Sequence, residues 1–291
     1  MRRGMEAAVA VREAENVIAG LGEPTLPIDP LEIATDHGIE VRPMPGRSPG
    51  VSGMFLHHAG GFGILYNTHL GNERFERFSV AHELGHYHLP GHPEHILNDQ
   101  GFHLSDGGFV SDRRYELEAD HFAAALLMPR QLFLPAMDRA GVGLDAIESL
   151  AEQCQTSMPA TAIQYATHTP ECMAIVVSRG GAVDYCFMSE GLKELRGLDW
   201  LRKGTPLARD TVTSRFNREE QNVLERERDY GTSSLQDWLG GPYQLEVEEE
   251  VIGLGRYGRT LTVLRSEEPI DQEDLDDEEE LEESWEPRFR R

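Results

Sequence analysis

From residue 1 to 21 apolar and charged positions recur at helical spacing, and Gly20-Leu21-Gly22 closes the run. Asp29 and Pro30 then open a second, short helix. The aspartate caps it, proline takes the first helical position where its missing N–H is no loss, and Gly38 stops it after His37. Residues 39–44 alternate as a strand does. Residues 51–57 and 61–67 are two further strand-like runs, and Ala59-Gly60-Gly61 between them predicts a hairpin. Helical spacing returns from Asn72 to Leu89, and Pro90-Gly91 ends it. Residues 92–110 are polar, with Gly and Asp, and read as a loop. Residues 112–128 form a second strongly patterned helix, with Ala119, Phe122, Ala123 and Leu126 on one stripe. Pro129 opens a new segment. Residues 144–153 and 157–168 then read as two helices around a tight turn. Beyond Pro170 the texture changes to strands at 173–178, 182–188, 243–252 and 260–265.

An α+β chain is expected, in four parts. Residues 1–138 make the main domain, 139–170 a helix-turn-helix-like helical segment, 171–265 a C-terminal mixed α/β domain, and 266–291 an acidic tail. With 291 residues, 39% of them hydrophobic, the chain has material for more than one core. The formal net charge is −24, which speaks against a nucleic-acid-binding surface, because phosphate contacts need clustered Lys and Arg. From Ser266 onward 13 acidic residues face 3 arginines, so about −14 belongs to the rest of the chain and the folded body is itself acidic. The tail is expected to be disordered. The three cysteines, Cys154, Cys172 and Cys186, are odd in number and lack Cys-x-x-Cys spacing, so a disulfide framework is not expected and a reducing cytoplasm is. Glu6, Arg12, Glu13 and Glu15 interrupt any signal-peptide core, and no apolar run is long enough for a bilayer.

The chemistry concentrates in His82-Glu83-Leu84-Gly85-His86. Residues four apart share a helix face, so His82 and His86 can point both imidazoles at one metal ion, zinc by default, with manganese able to use the same nitrogen and oxygen donors. Glu83 sits about 100° around the helix, beside the ion, where it can take a proton from the attacking water and pass it to the leaving amine. The neighbours Phe75, Phe78, Val80, Ala81 and Leu84 mark the helix as packed, and buried imidazoles need partners. A third protein ligand is required, and two candidates exist. His92 stands ten residues after His82, as in the metzincins, but Leu89 holds the position where those enzymes place a glycine. Glu116 lies on the next long helix, with Asp120 one turn on, a pair that lets one carboxylate bind metal while the other orients an imidazole. Glu118 falls on the opposite side of that helix and reads as solvated. His57, His58, His88, His95 and His103 read as surface or structural residues, although one of them, or Tyr115, is a candidate to steady an oxyanion.

Residues Arg77 to His86, RFSVAHELGH, resemble the active helix of the ImmA/IrrE metallopeptidases, and Glu116 to Pro129, ELEADHFAAALLMP, resemble that family's second signature. The resemblance extends over about residues 8–168. It implies a zincin-like metallopeptidase core, puts the third ligand on Glu116, and implies cleavage of helix-turn-helix repressors. The related radiation-response proteins carry a helix-turn-helix-like bundle followed by a sensor-like domain, which implies a sensor-like, GAF- or PAS-type module at residues 171–265. Residues 144–168 contain no Arg or Lys, and Asp145, Glu148 and Glu152 would repel a phosphate backbone, so this helix pair is expected to pack or bind protein rather than DNA. The expected partner is a basic repressor protein, with no nucleic acid or membrane. The alternative is a catalytically idle protein that sequesters a regulator, against which the intact Glu83 counts.

Overall fold

Capping and periodicity place the first helices where the sequence pattern puts them. The computed structural model describes residues 2–45, 50–106, 114–243 and 245–266, and the chain divides into two compact units, Met1–Gln164 and Tyr165–Arg291. In the first unit α1 (Arg2–Gly20) is followed by α2 (Pro30–Asp36), whose cap Asp29 accepts a hydrogen bond from the Leu31 N–H at 2.9 Å. Strands β1 (Glu40–Pro43), β2 (Val51–His58) and β3 (Gly61–Tyr66) lead to α3 (Glu73–His88), capped by Asn72. Then come α4 (His92–Ile96), β4 (Phe102–Asp106), α5 (Arg114–Leu127), α6 (Arg130–Ala140), α7 (Gly143–Cys154) and α8 (Met158–His168). The boundary between the units falls within α8.

Residues 92–106 are therefore not simply a loop, and the remainder of that stretch, 107–110, lies outside the described residues. Strand β4 pairs antiparallel with β2 and completes a sheet of order β1-β3-β2-β4. Its side-chain pattern runs opposite to the usual rule. Ser105 is fully buried and His103 nearly so, whereas Leu104 is 41% exposed. A strand that turns its polar residues inward cannot be found by looking for buried apolar alternation. The single turn α4 is equally hidden, because its buried residue is His92. Helix α6 escapes notice for another reason, the proline at position 135 inside it.

Helix α3 lies across β2 and β3, and α1 and α3 both pack against α5. The shared core contains Ala14, Ile18, Ile33, Phe55, Ile64, Leu84, Phe122 and Leu126, all essentially without solvent contact. Removing a Phe or Leu side chain from water contributes roughly 1.5–3 kcal/mol, so this cluster is what binds the helices to the sheet.

The second unit holds an antiparallel sheet of order β6-β5-β9-β8-β7, built from β5 (Met173–Arg179), β6 (Ala182–Met188), β7 (Arg228–Ser234), β8 (Glu246–Gly253) and β9 (Thr260–Arg265). Short helices α9 (Glu190–Glu194), α10 (Val212–Phe216), α11 (Glu220–Leu224) and α12 (Leu235–Leu239) occupy the connections. Strand β7 was not expected. It is an edge strand, largely exposed and polar, and its ladder with β8 rather than burial defines it. The fully buried Glu249 is satisfied by the backbone N–H groups of Val212 and Thr213 and the Thr213 hydroxyl.

Cys154 and Cys186 are buried, and Cys172 is half-buried. Among the described residues no helix is long and apolar enough to cross a membrane. The acidic tail beyond Ser266 lies outside the described residues.

Helices α3 and α5 meet closely at Gly85. A Cβ there would stand 3.1 Å from the Ala119 Cα and 3.2 Å from the Phe122 ring. Gly85→Leu should separate α3 from α5 and lower the unfolding free energy by about 3 kcal/mol through overpacking. Chemical denaturation checks this, and an unchanged midpoint would mean that the contact is slack.

Candidate metal centre

The middle of α3, from Ser79 to His86, is buried, so His82, Glu83 and His86 project into the unit rather than into water. Helix α5 faces them with Glu116, Glu118 and Asp120. His82 Nε2 and His86 Nε2 are 3.2 Å apart, His82 Nε2 is 3.4 Å from Glu116 Oε2, and His86 Nε2 is 3.6 Å from Glu116 Oε1. A tetrahedral ion with bonds of about 2.0–2.1 Å separates its ligand atoms by roughly 3.3–3.4 Å. The three donors therefore fit zinc with little movement, and they are the metal-competent cluster among the described residues.

Each donor is held by a further group. His82 Nδ1 is 2.9 Å from Asp120 Oδ1, Glu116 Oε1 accepts from His103 Nε2 at 2.8 Å, and His86 Nδ1 is 2.9 Å from His92 Nδ1. Burial would lower the pKa of His82, but hydrogen bonds to Asp120 and Glu116 override it and raise the pKa to about 10. Burial alone raises a carboxyl, yet Glu116 ends well below the usual carboxylate range because His103 and His82 donate to it. His86 is pushed well below its ordinary value by burial and by its cationic neighbour His82.

Glu83 differs from all of these. It is completely buried, and neither carboxylate oxygen has a hydrogen-bond partner among the described residues. Burial raises its pKa to about 7, with His82 and the nearby Ser105 hydroxyl pulling the other way. Strand β2 passes so close that a Cβ on Gly53 would overlap Glu83 Oε1 and stand 3.0 Å from its Cδ. Gly53 pairs with Ser105 across the sheet, and Phe55 pairs with His103 two residues on, so the β2–β4 ladder lines the same site.

Residues 34–164 match the family model of the IrrE N-terminal-like domain, Peptidase M78. This stretch is an IrrE N-terminal-like domain. The match spans all the donors above and makes the domain one of a metallopeptidase-type family. No curated protein matches the sequence. Among solved structures, a Mycobacterium tuberculosis transcriptional regulator is similar in fold, with 14% identity, a TM-score of 0.56, and coverage of 91% of this chain and 82% of that one.

Within the IrrE-like domain, the fold brings His82, Glu83, His86, Glu116 and Asp120 together. His92 comes to the site but not to the triangle. Its Nδ1 meets His86 and its Nε2 meets Glu118 Oε2 at 2.8 Å, so neither nitrogen faces the other donors. Glu118 is not solvated, contrary to expectation. Helix α4 closes over that side of α5, and the carboxylate is buried against His92 and bonded by Arg114 Nε at 2.7 Å. His103 belongs to the site, which the sequence hid along with β4. Tyr115 packs on His92 and His95, and His88 stacks on Phe122.

Two substitutions test this geometry. Glu116→Ala should abolish tight zinc uptake in metal analysis, whereas a variant that still binds zinc one-to-one with wild-type affinity would remove Glu116 from the ligand set. Gly53→Ala should leave zinc binding intact but displace Glu83. Misplacing a reacting group by about 1 Å can cost as much as 10²-fold in rate. A peptidase assay with parallel metal analysis reads both effects.

Proposed function

We propose that the IrrE-like domain is a metal-dependent, site-specific endopeptidase with Glu83 as its general base. Glu83 itself carries the reading. Buried carboxylates are ordinarily paired, and one without a hydrogen-bond partner among the described residues, poised near neutrality beside three metal-competent donors, is suited to proton transfer rather than to packing. His82, His86 and Glu116 would hold zinc, or manganese with the same donor set. When bound, the ion polarises a scissile carbonyl and makes water acidic enough to attack near neutral pH. Glu83 accepts the proton of the attacking water and returns it to the departing amine. Asp120 fixes the His82 ring through Nδ1, and His103 keeps Glu116 ionised and oriented.

The substrate we propose is a helix-turn-helix repressor, recognised through its basic face. The chain carries −24 overall and remains acidic without its tail, so a cationic protein is electrostatically steered toward it. The α7–α8 pair offers no Arg or Lys from residue 144 to 168, which favours a protein partner over DNA. In this reading the second unit serves as the sensor-like module.

The test is incubation of the purified protein with the product of the neighbouring regulator gene. Fragments should appear with metal, vanish with chelator, and fall by about 10² to 10⁴ in rate for Glu83→Gln at unchanged zinc content. Cleavage should slow as added salt shortens the Debye length to about 8–10 Å, and excess operator DNA should protect the repressor. An intact complex without fragments under every condition would favour sequestration over hydrolysis.

A further inference from the structure

His92 and Glu118 are the two groups of this cluster that the proposed hydrolysis leaves unused, and both are buried. The geometry points to a relay that orients a ligand histidine: Glu118 holds His92, and His92 holds His86, so that His86 presents a bare Nε2 to the metal position. The inference rests on His86 being a ligand.

Hydrogen-bond direction carries the argument. Glu118 receives Arg114 Nε on one oxygen at 2.7 Å and His92 Nε2 on the other at 2.8 Å. A carboxylate flanked by a guanidinium is an acceptor, so the His92 nitrogen facing it bears the proton. Only one proton can lie between His92 Nδ1 and His86 Nδ1, which are 2.9 Å apart. If His92 donated it, His86 would have to carry its own proton on Nε2, aimed at His82 Nε2 only 3.2 Å away and blocking a metal. If His86 donates, His92 accepts with Nδ1, Glu118 accepts from Nε2, and His86 Nε2 is left with a free lone pair beside His82 and Glu116. This second arrangement gives each hydrogen bond of the relay a single proton and leaves the triangle ready for a cation.

Helix α5 thereby anchors both ligand histidines with acids two residues apart. Asp120 reaches His82 directly, whereas Glu118 reaches His86 through a full imidazole, because α4 inserts His92 between them. Glu116, two residues before Glu118, supplies the third donor. The acids at 116, 118 and 120 thus act as ligand, relay anchor and direct anchor. His92 and Glu118 are positioning residues.

The experiment measures zinc affinity of the full-length protein by competition with a chromophoric chelator, with thermal melting of the metal-free forms as the control for folding. His92→Phe keeps ring volume and removes the acceptor, and zinc affinity should fall about 10- to 100-fold. His92→Asn returns an acceptor atom near the Nδ1 position and should recover most of that loss, which restored packing alone would not do. Glu118→Ala should weaken binding in the same direction. The double variant His92→Phe/Glu118→Ala should be no weaker than His92→Phe, because a broken chain cannot be broken again. In the zinc-loaded protein the His86 ring should show its proton on Nδ1 in nitrogen-15 NMR spectra. A folded His92→Phe that binds zinc as tightly as the wild type, or a His86 proton absent from Nδ1, would overturn the relay and leave the peptidase reading standing. Wild-type protein that binds no zinc, with His86→Ala indistinguishable from it, would overturn the metal reading and the relay together.

Discussion

The contact between α3 and α5 at Gly85 governs the rest of the first unit. With no side chain at position 85, the backbone of Ala119 comes into direct contact, and Phe122 packs in the same gap. That closeness brings Glu116 to within 3.4–3.6 Å of the two histidine nitrogens. A helix separation enlarged by one methyl group would leave the carboxylate out of reach. The glycine inside the metal motif is therefore a packing requirement as well as part of a signature.

The close approach has an electrostatic consequence. Four acids and four histidines are crowded into a largely buried space, where unpaired charge is expensive. The protein meets the cost by pairing them: His82 with Asp120 and Glu116, Glu116 with His103, His92 with Glu118. Glu83 is excluded from this pairing. Gly53 gives it room and Ser105 stands nearby, yet its oxygens stay unpartnered among the described residues. The contrast between a saturated network and one unsatisfied carboxylate separates groups that hold from a group that reacts.

The sheet contributes by an inversion of the ordinary pattern. Strand β4 buries His103 and Ser105 and exposes Leu104, so its inner face adds polar groups to the site where apolar residues would be the norm. Its ladder with β2 sets Gly53 opposite Ser105 and Phe55 opposite His103, and this register places the strand's polar groups beside α3. Covering of this kind keeps bulk water from the acids and strengthens each hydrogen bond among them.

Much of this was legible in the residues alone. Local rules sufficed for α1, α2, α3, α5 and the β2–β3 hairpin, because caps, proline and glycine positions and 3.6-residue periodicity act over a few neighbours. The i, i+4 spacing of His82 and His86 and of Glu116 and Asp120 likewise determined which groups share a helix face. Contacts between segments distant in the chain were a different matter. Glu118 looked solvated because nothing in helical spacing reports that α4 folds over it. His92 could be placed near the site but not given a partner, since its role depends on two hydrogen bonds to other helices. Strands β4 and β7 were invisible because backbone pairing, not side-chain hydrophobicity, makes them strands. Sequence decides what each segment can be by itself, and only the packed structure decides which of two nitrogens a neighbour will hold.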